Sequence, residues 1–298
     1  MSSSVANLTR THGEVTDGYS YAFLDAISKR EIRRSLLKAV AIPGYQVPFG
    51  SRELPIARGW GTGGLQITLS ILGPNDVLKV IDQGDDASVN AANLRRLVDR
   101  TTGLQTTFDT REATIVQSRH RVPEERLDPG QILVLQCPNP EPLRSVEPSM
   151  AICRRMHAES DYSRMWVSIY EGVVRRGELT GAAGYPVMVN KRYVMAPTPI
   201  PRWDIPRLHM ADSLCLIGAG REKRLYAVPP YTAVEPLEFE DYRFEVEDFS
   251  GKRCAICGTD GAESFLDEVM DEEGRSRHTC NDRAFCDKVR AGSAVSRW

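Results

Sequence analysis

Between Tyr21 and Ile42 the apolar residues recur at helical spacing, with Ile32, Leu36 and Val40 in one row. Lys29, Arg30, Arg33 and Arg34 make another side of the same segment cationic, and Pro43 with Gly44 ends it. Further on the period changes. Leu65, Ile67, Leu69 and Ile71 alternate with Gln66, Thr68 and Ser70, which predicts a half-buried strand directly after the glycine-dense GWGTGG. Asp76–Ile81 predicts another strand. Ser88–Asp99 predicts a helix buried through Leu94, Leu97 and Val98, with Gly103 just past its end. Ala113–Gln117 and Gln131–Gln136 are short apolar or β-branched runs bounded by turn residues, so both predict strands. A long helix is expected from Pro148 to about Arg176, with Met165, Ile169 and Val173 along one row. Residues 185–232, rich in proline and aromatics, show little periodicity, and Phe239–Val246 suggests a hairpin arm. The pattern predicts an α+β or mixed α/β fold. Residues 1–18 read as a disordered tail, 19–246 as the main domain and 247–298 as a cysteine-bearing module.

Composition narrows the class. The chain has 298 residues, 41% of them hydrophobic and 26% charged, enough for a sizeable core. A formal charge of -2 argues against a dedicated nucleic-acid binder. No apolar run is long enough to span a bilayer, and the polar N-terminus lacks the layout of a secretory signal. Seven cysteines, an odd number without an export signal, favour a reducing cytoplasm and thiolates used as ligands or reagents. Cys137, Cys153 and Cys215 are scattered, whereas Cys254, Cys257, Cys280 and Cys286 are bunched.

The bunched set reads Cys254-x2-Cys257, then twenty-two residues, then Cys280-x5-Cys286. A two-residue gap lets both sulfurs of a knuckle point at one metal, with Gly258 relieving the turn, and two arms together make a four-thiolate site. Zinc and an iron–sulfur cluster both accept such ligands, and spacing does not separate them. His278, two residues before Cys280, reads as a surface histidine because four cysteines already complete a shell. Two basic segments offer anion chemistry. Arg119-His120-Arg121 follows an apparent strand. Arg221, Lys223 and Arg224 sit beside Gly218 and Gly220, where backbone N–H groups can approach an anion and arginine can fork onto phosphate oxygens. Taken alone, both read as solvated charged loops. GWGTGG does not match the dinucleotide-binding fingerprint. Gly44 alone reads as a turn glycine after Pro43.

Several stretches together resemble one family: REIRRSLLKAVAIPGYQVPFGSRELP, GWGTGGLQITLSILG, DVLKVIDQGDD, ATIVQSRHRVPE, NPEPLRSVEP, GAGREKRLYAVPPYT and the CAICG…C-x5-C terminus. They look like the J subunit of bacterial carbon–phosphorus lyase, and the resemblance covers nearly everything after residue 19. It implies cleavage of the carbon–phosphorus bond of α-D-ribose 1-methylphosphonate 5-phosphate, giving methane and the ribose 1,2-cyclic phosphate 5-phosphate. It also implies a four-iron four-sulfur cluster and S-adenosylmethionine. By motif, Cys254, Cys257 and Cys280 hold the cluster, Gly44 carries a glycyl radical and Cys286 becomes the thiyl that attacks phosphorus. Arg119 and His120 are the candidates for the phosphonate, and Arg221 and Arg224 for the distal phosphate. Implied partners are the G, H and I subunits and an ATP-binding cassette subunit, K. The alternative is a non-catalytic scaffold subunit in which Cys286 is the fourth ligand of zinc. One departure stands out: the second arm reads CNDRAFC, where the family usually has an acidic, tyrosine-containing version.

Overall fold

The computed structural model describes residues 24–50, 62–82, 85–119, 122–137, 187–193, 211–219, 224–236, 249–261 and 266–298. The tail 1–18, the helix expected over 148–176 and the hairpin arm expected over 239–246 lie outside these residues, as do His120, Arg221 and Cys153.

Helix α1 spans Ala26–Ala41. It starts at Ala26 because the Asp25 carboxylate accepts the Ser28 N–H at 2.7 Å, satisfying one of the donors that a helix start leaves open. It buries Ile32 and Leu36, the row read from the sequence. Strand β1 (Val47–Pro48) follows, then helix α2 (Thr62–Ile71), strand β2 (Leu78–Ile81) and helix α3 (Val89–Thr102). Ser88 caps α3 by accepting the Ala91 N–H, and Gly103 ends it in the left-handed region at φ 67°. Strands β3 (Ile115–Arg119) and β4 (Ile132–Cys137) match the two predicted runs.

Two expectations are corrected. The alternating stretch from Leu65 to Ile71 is a helix, not a strand. Gln66, Thr68 and Ser70 are as buried as Leu65, Ile67 and Leu69, so the alternation marks no solvent-facing side. A helix enclosed on every side loses the contrast on which the period depends. The aperiodic region 185–232 also holds strands, β5 (Val187–Val189), β6 (Arg192–Tyr193), β7 (Leu214–Ala219) and β8 (Arg224–Val228), and β9 (Val234–Pro236) follows just after it.

The main sheet runs β1-β8-β7-β4-β3-β2. Strands β2, β3, β4 and β7 are parallel; at one edge β8 pairs antiparallel with β7 and β1 antiparallel with β8. Parallel strands need crossover elements. Helix α3 is the crossover from β2 to β3. The fold is mixed α/β. Leu78, Val80, Ile115, Ile132, Val134, Leu214, Leu216, Leu225 and Ala227 face one side and join the core built by α1, α2 and α3. Side chains alternate across a strand, so Lys79 of β2 points to the other side.

Glycines let α2 lie close on the sheet. A Cβ on Gly218 would meet Ile67 Cδ1 at 2.5 Å, and one on Gly64 would meet Gln136 Cβ at 2.9 Å. Gly218 therefore serves helix packing, not approach to an anion. The C-terminal segment adds the hairpin β10 (Asp267–Met270) and β11 (Ser276–Thr279), then helix α4 (Arg283–Arg290). No described helix is long and apolar enough to cross a membrane.

Candidate metal centre

Cys254 and Cys257 stand on a tight knuckle. Gly258 N–H donates to the Cys254 carbonyl at 2.8 Å, with Gly258 at φ 75°, the turn-relieving role expected of it. The Ala255 N–H donates to the His278 carbonyl at 2.8 Å, tying the knuckle to β11. His278 offers its backbone here, and its ring lies edge-on to Phe249. Cys280 follows β11 directly, and Cys286 sits in the first turn of α4. Backbone N–H groups of Ile256 and Cys280 both point at Cys254 Sγ at 3.4 Å, which suits a sulfur that carries negative charge.

The four sulfurs all lie within 4.8 Å of one another. Cys254 and Cys286 are 3.8 Å apart, and Cys257 and Cys280 are 3.9 Å apart. Metal–sulfur bonds of about 2.3 Å directed to a tetrahedron place sulfurs roughly 3.8 Å apart, so this spacing is that of one ion bound by four thiolates. A four-iron cluster seats each thiolate on a separate iron and needs wider spacing, so the set as it stands does not fit one. Cys286 is the fourth corner and is fully buried.

Protonation follows from this crowding. The Cys254 thiol is held far below its ordinary range, because Cys257, Cys280 and Cys286 all donate to it. In Cys257 the bond to Cys254 works upward, but those to Cys280 and Cys286 outweigh it and bring the thiol down to about 6. Cys280 and Cys286 are pushed up, first because each keeps its proton and donates it in a hydrogen bond to Cys254. Four thiolates cannot coexist at this distance without a cation, so a metal that binds here displaces protons.

The arm from Cys280 to Cys286 is docked residue by residue on Lys79 of β2 and on the connections beside it. Asn281 N–H donates to Glu124 Oε1 at 3.1 Å, and its side-chain amide donates to the Val122 carbonyl at 3.2 Å. Asp282 accepts from Lys79 Nζ at 3.0 Å and from Thr110 Oγ1 at 2.8 Å. Arg283 pairs with Asp85 through Nε at 3.0 Å, and its N–H donates to the Asp86 carboxylate. Asn281, Asp282 and Arg283, inside CNDRAFC, are thus the docking sequence. Lys288 adds bonds to Asp109 and Glu125 at 2.6 and 2.7 Å, and Trp298 Nε1 donates to the Pro123 carbonyl at 2.8 Å.

Asp82, Asp85 and Asp86 lie between this arm and one substrate candidate. Asp82 pairs with Arg119 at 2.8 Å, while Asp85 and Asp86 hold Arg283. Arg119 therefore lies on the side of the sheet edge where the cysteines dock. Arg224 opens β8, near the opposite edge. The scattered Cys215 is buried in β7, where burial pushes its thiol up, and it has no part in the site.

Gly44 is elsewhere. Its N–H donates to the Ala227 carbonyl of β8 at 3.3 Å. Across the sheet Ala227 aligns with Leu216, Val134, Gln117 and Val80, next to Lys79. Four strand spacings of about 4.8 Å put roughly 19 Å between Ala227 and β2. Asp282, which caps the helix carrying Cys286, is held by Lys79 of β2 on the face away from the helices, so the described contacts put Gly44 and Cys286 at different parts of the sheet. Sequence reasoning did not single out Lys79, Asp86, Thr110 or Glu124. Lys79, Asp86 and Glu124 fall within stretches quoted for the family resemblance, DVLKVIDQGDD and ATIVQSRHRVPE, but only the acidic run DQGDD hinted at a local role, that of Asp86.

Comparison with known proteins agrees with the resemblance read from the sequence. Residues 17–292 match the family model described as phosphonate metabolism protein PhnJ. A protein of Rhizobium meliloti (strain 1021) named alpha-D-ribose 1-methylphosphonate 5-phosphate C-P-lyase is 53% identical over 274 residues, covering 92% of this chain and 91% of its own. An Escherichia coli (strain K12) protein named for the same activity is 52% identical over 270 residues, covering 90% of this chain and 95% of its own. The chain belongs to the PhnJ family of phosphonate metabolism proteins.

Proposed function

We propose that this chain breaks the carbon–phosphorus bond of α-D-ribose 1-methylphosphonate 5-phosphate, releasing methane and leaving the ribose 1,2-cyclic phosphate 5-phosphate. The observation that carries this reading is the identity of 53% and 52%, over at least nine-tenths of the chain, to two proteins named for that activity. The bond exchange itself balances, because the hydrogen that completes methane is formally the one lost by the ribose 2-hydroxyl on ring closure. Starting a radical by reductive cleavage of S-adenosylmethionine takes, in addition, one electron from a one-electron donor.

A carbon–phosphorus bond offers no leaving group for polar displacement, so one-electron chemistry at a sulfur is a physically sensible route. Cys286 is the proposed attacking group, Cys254, Cys257 and Cys280 the metal-holding ones, and Gly44 the proposed radical carrier. Arg119 and His120 are proposed for the phosphonate, with Arg221 and Arg224 for the distal phosphate. The resemblance assigns radical generation to a four-iron cluster with S-adenosylmethionine. With the sulfurs spaced as they are, that assignment requires the Cys280–Cys286 arm to open and Cys286 to leave the set. A relay from Gly44 likewise requires movement or a neighbouring chain. The proposed setting is a cytoplasmic complex with the G, H, I and K subunits.

The close sulfur spacing favours a second reading, a zinc-holding subunit whose four cysteines are purely structural. Metal and sulfide analysis of the complex, kept free of oxygen and assayed for methane, separates the two. Iron and sulfide that rise with methane output support the lyase with a cluster. Full methane output from a complex holding one zinc per chain and no iron would remove the cluster and the radical role of Cys286.

A further inference from the structure

We propose that Lys79 is a positioning residue for the thiolate centre, acting through Asp282 to hold the backbone between Cys280 and Cys286. The inference rests on the reading that the four thiolates hold a metal.

Lys79 and Asp282 lie 203 positions apart in sequence and 3.0 Å apart in space, both with fully buried side chains. Lys79 Nζ also donates to Asp86 Oδ2 at 2.9 Å and to the Phe108 carbonyl, so all three of its donors are used. Both oxygens of Asp282 are engaged as well. Its Oδ1 accepts the Phe285 N–H at 3.0 Å, capping α4, and its Oδ2 accepts Thr110 Oγ1. Asp86 fastens the peptides on either side of Asp282: its N–H donates to the Asn281 carbonyl at 3.0 Å, and its carboxylate accepts the Arg283 N–H. The first helical bond, Cys286 N–H to the Asp282 carbonyl at 3.2 Å, passes this constraint to the sulfur-bearing residue.

The two halves of the thiolate set are therefore held by different means. Cys254 and Cys257 depend on local knuckle bonds. Cys280 leaves β11, which the knuckle also grips through the His278 carbonyl, and the stretch from there to Cys286 depends besides on an ammonium rooted in β2. Removing that ammonium leaves two buried carboxylates facing each other, which drives the arm off the sheet while leaving the knuckle intact.

The test uses the full chain in its complex, loaded with zinc, as wild type, Lys79→Gln and Thr110→Val. Zinc transfer to a chelating dye is followed over time, and iodoacetamide labelling of each cysteine is located by mass spectrometry. Lys79→Gln is expected to release zinc on the order of tenfold faster or more, and Thr110→Val by a smaller factor, as expected for losing a bond to a charged group. Labelling should appear at Cys280 and Cys286 before Cys254 and Cys257. Should Lys79→Gln fail to assemble, Thr110→Val still decides, since it removes one bond without stranding a charge. Wild-type release rates in the variants would overturn the proposal. So would labelling of all four cysteines in step with global loss of circular dichroism, which is what a merely structural role predicts. A wild-type complex that retains no zinc or other metal would remove the metal reading itself, and this inference with it.

Discussion

A Cβ placed on Gly44 would lie 2.6 Å from the Val189 carbonyl oxygen and 2.9 Å from Val189 Cβ, and Gly44 holds φ at 74°. Two ordinary reasons thus require glycine here, before any radical is invoked. The left-handed conformation costs an L-residue about 1–2 kcal/mol, and overlap with packed backbone adds about 1–3 kcal/mol. Gly44→Ala is therefore expected to lower the thermal midpoint or impair assembly, and its loss of methane output will not by itself identify a radical. The decisive measurement is spin resonance of activated complex. A glycine-centred radical gives a doublet from its remaining α-hydrogen, which collapses when the protein is made with dideuterated glycine. No such signal in complex that turns over would end the assignment of Gly44.

Asp86 should behave unlike an ordinary carboxylate. Burial pushes its carboxyl up to about 6, and Lys79 pulls the other way without overcoming it. One buried ammonium is shared between two acids, since Lys79 pairs with Asp282 as well. The folded pKa lies above the ordinary 3.8. Between those values the native state therefore keeps a proton that the unfolded chain has lost, and this group favours folding more as pH falls through 6 toward 4. Asp86→Asn leaves Lys79 balanced by Asp282 and should be close to neutral at pH 8, with wild type gaining on it at pH 5. Urea denaturation at both pH values checks this. A loss at pH 8 of about 3 kcal/mol or more, typical of breaking a buried pair, would show that the second carboxylate is needed in its charged form.

The knuckle glycine offers a contrast with Gly44. Gly258 has φ 75°, but a Cβ there would meet nothing within 4 Å. Only the conformational term applies, about 1–2 kcal/mol. Gly258→Asn, which tolerates the left-handed region, should retain metal nearly as well as wild type, with Gly258→Val clearly worse. Equal chelator resistance in both variants would mean that the knuckle does not depend on this turn.

These contrasts show where the sequence was readable. Elements with a polar side were legible: α1 through Ile32 and Leu36, α3 through Ser88 and Gly103, and the thiolate knuckle through its two-residue gap. Helix α2 was misread because burial on all sides erased its period; β7 and β8, buried on both faces, lost their alternation the same way, and β5, β6 and β9 are too short to show one. The Lys79–Asp282 link spans 203 positions, and no local pattern encodes a contact of that kind. The cysteine spacing named the ligands but was silent on their mutual distance, which is what separates one ion from a cluster.

Arg119 carries the last prediction, because the structure gives it a competing task. It pairs at 2.8 Å with Asp82, whose side chain is almost fully buried. Arg119→Ala strips a buried carboxylate of that pairing, so it should lower stability whether or not Arg119 touches substrate. Arg119→Lys keeps the positive charge beside Asp82 but gives up the planar fork that matches phosphonate oxygens. If Arg119 binds the phosphonate, Arg119→Lys should raise KM on the order of tenfold, about 1.4 kcal/mol, while the thermal midpoint of the complex stays close to wild type. An unchanged KM, with stability lost only in Arg119→Ala, would assign Arg119 to holding Asp82 and the loop that grips the cysteine arm, and would leave the phosphonate to other residues.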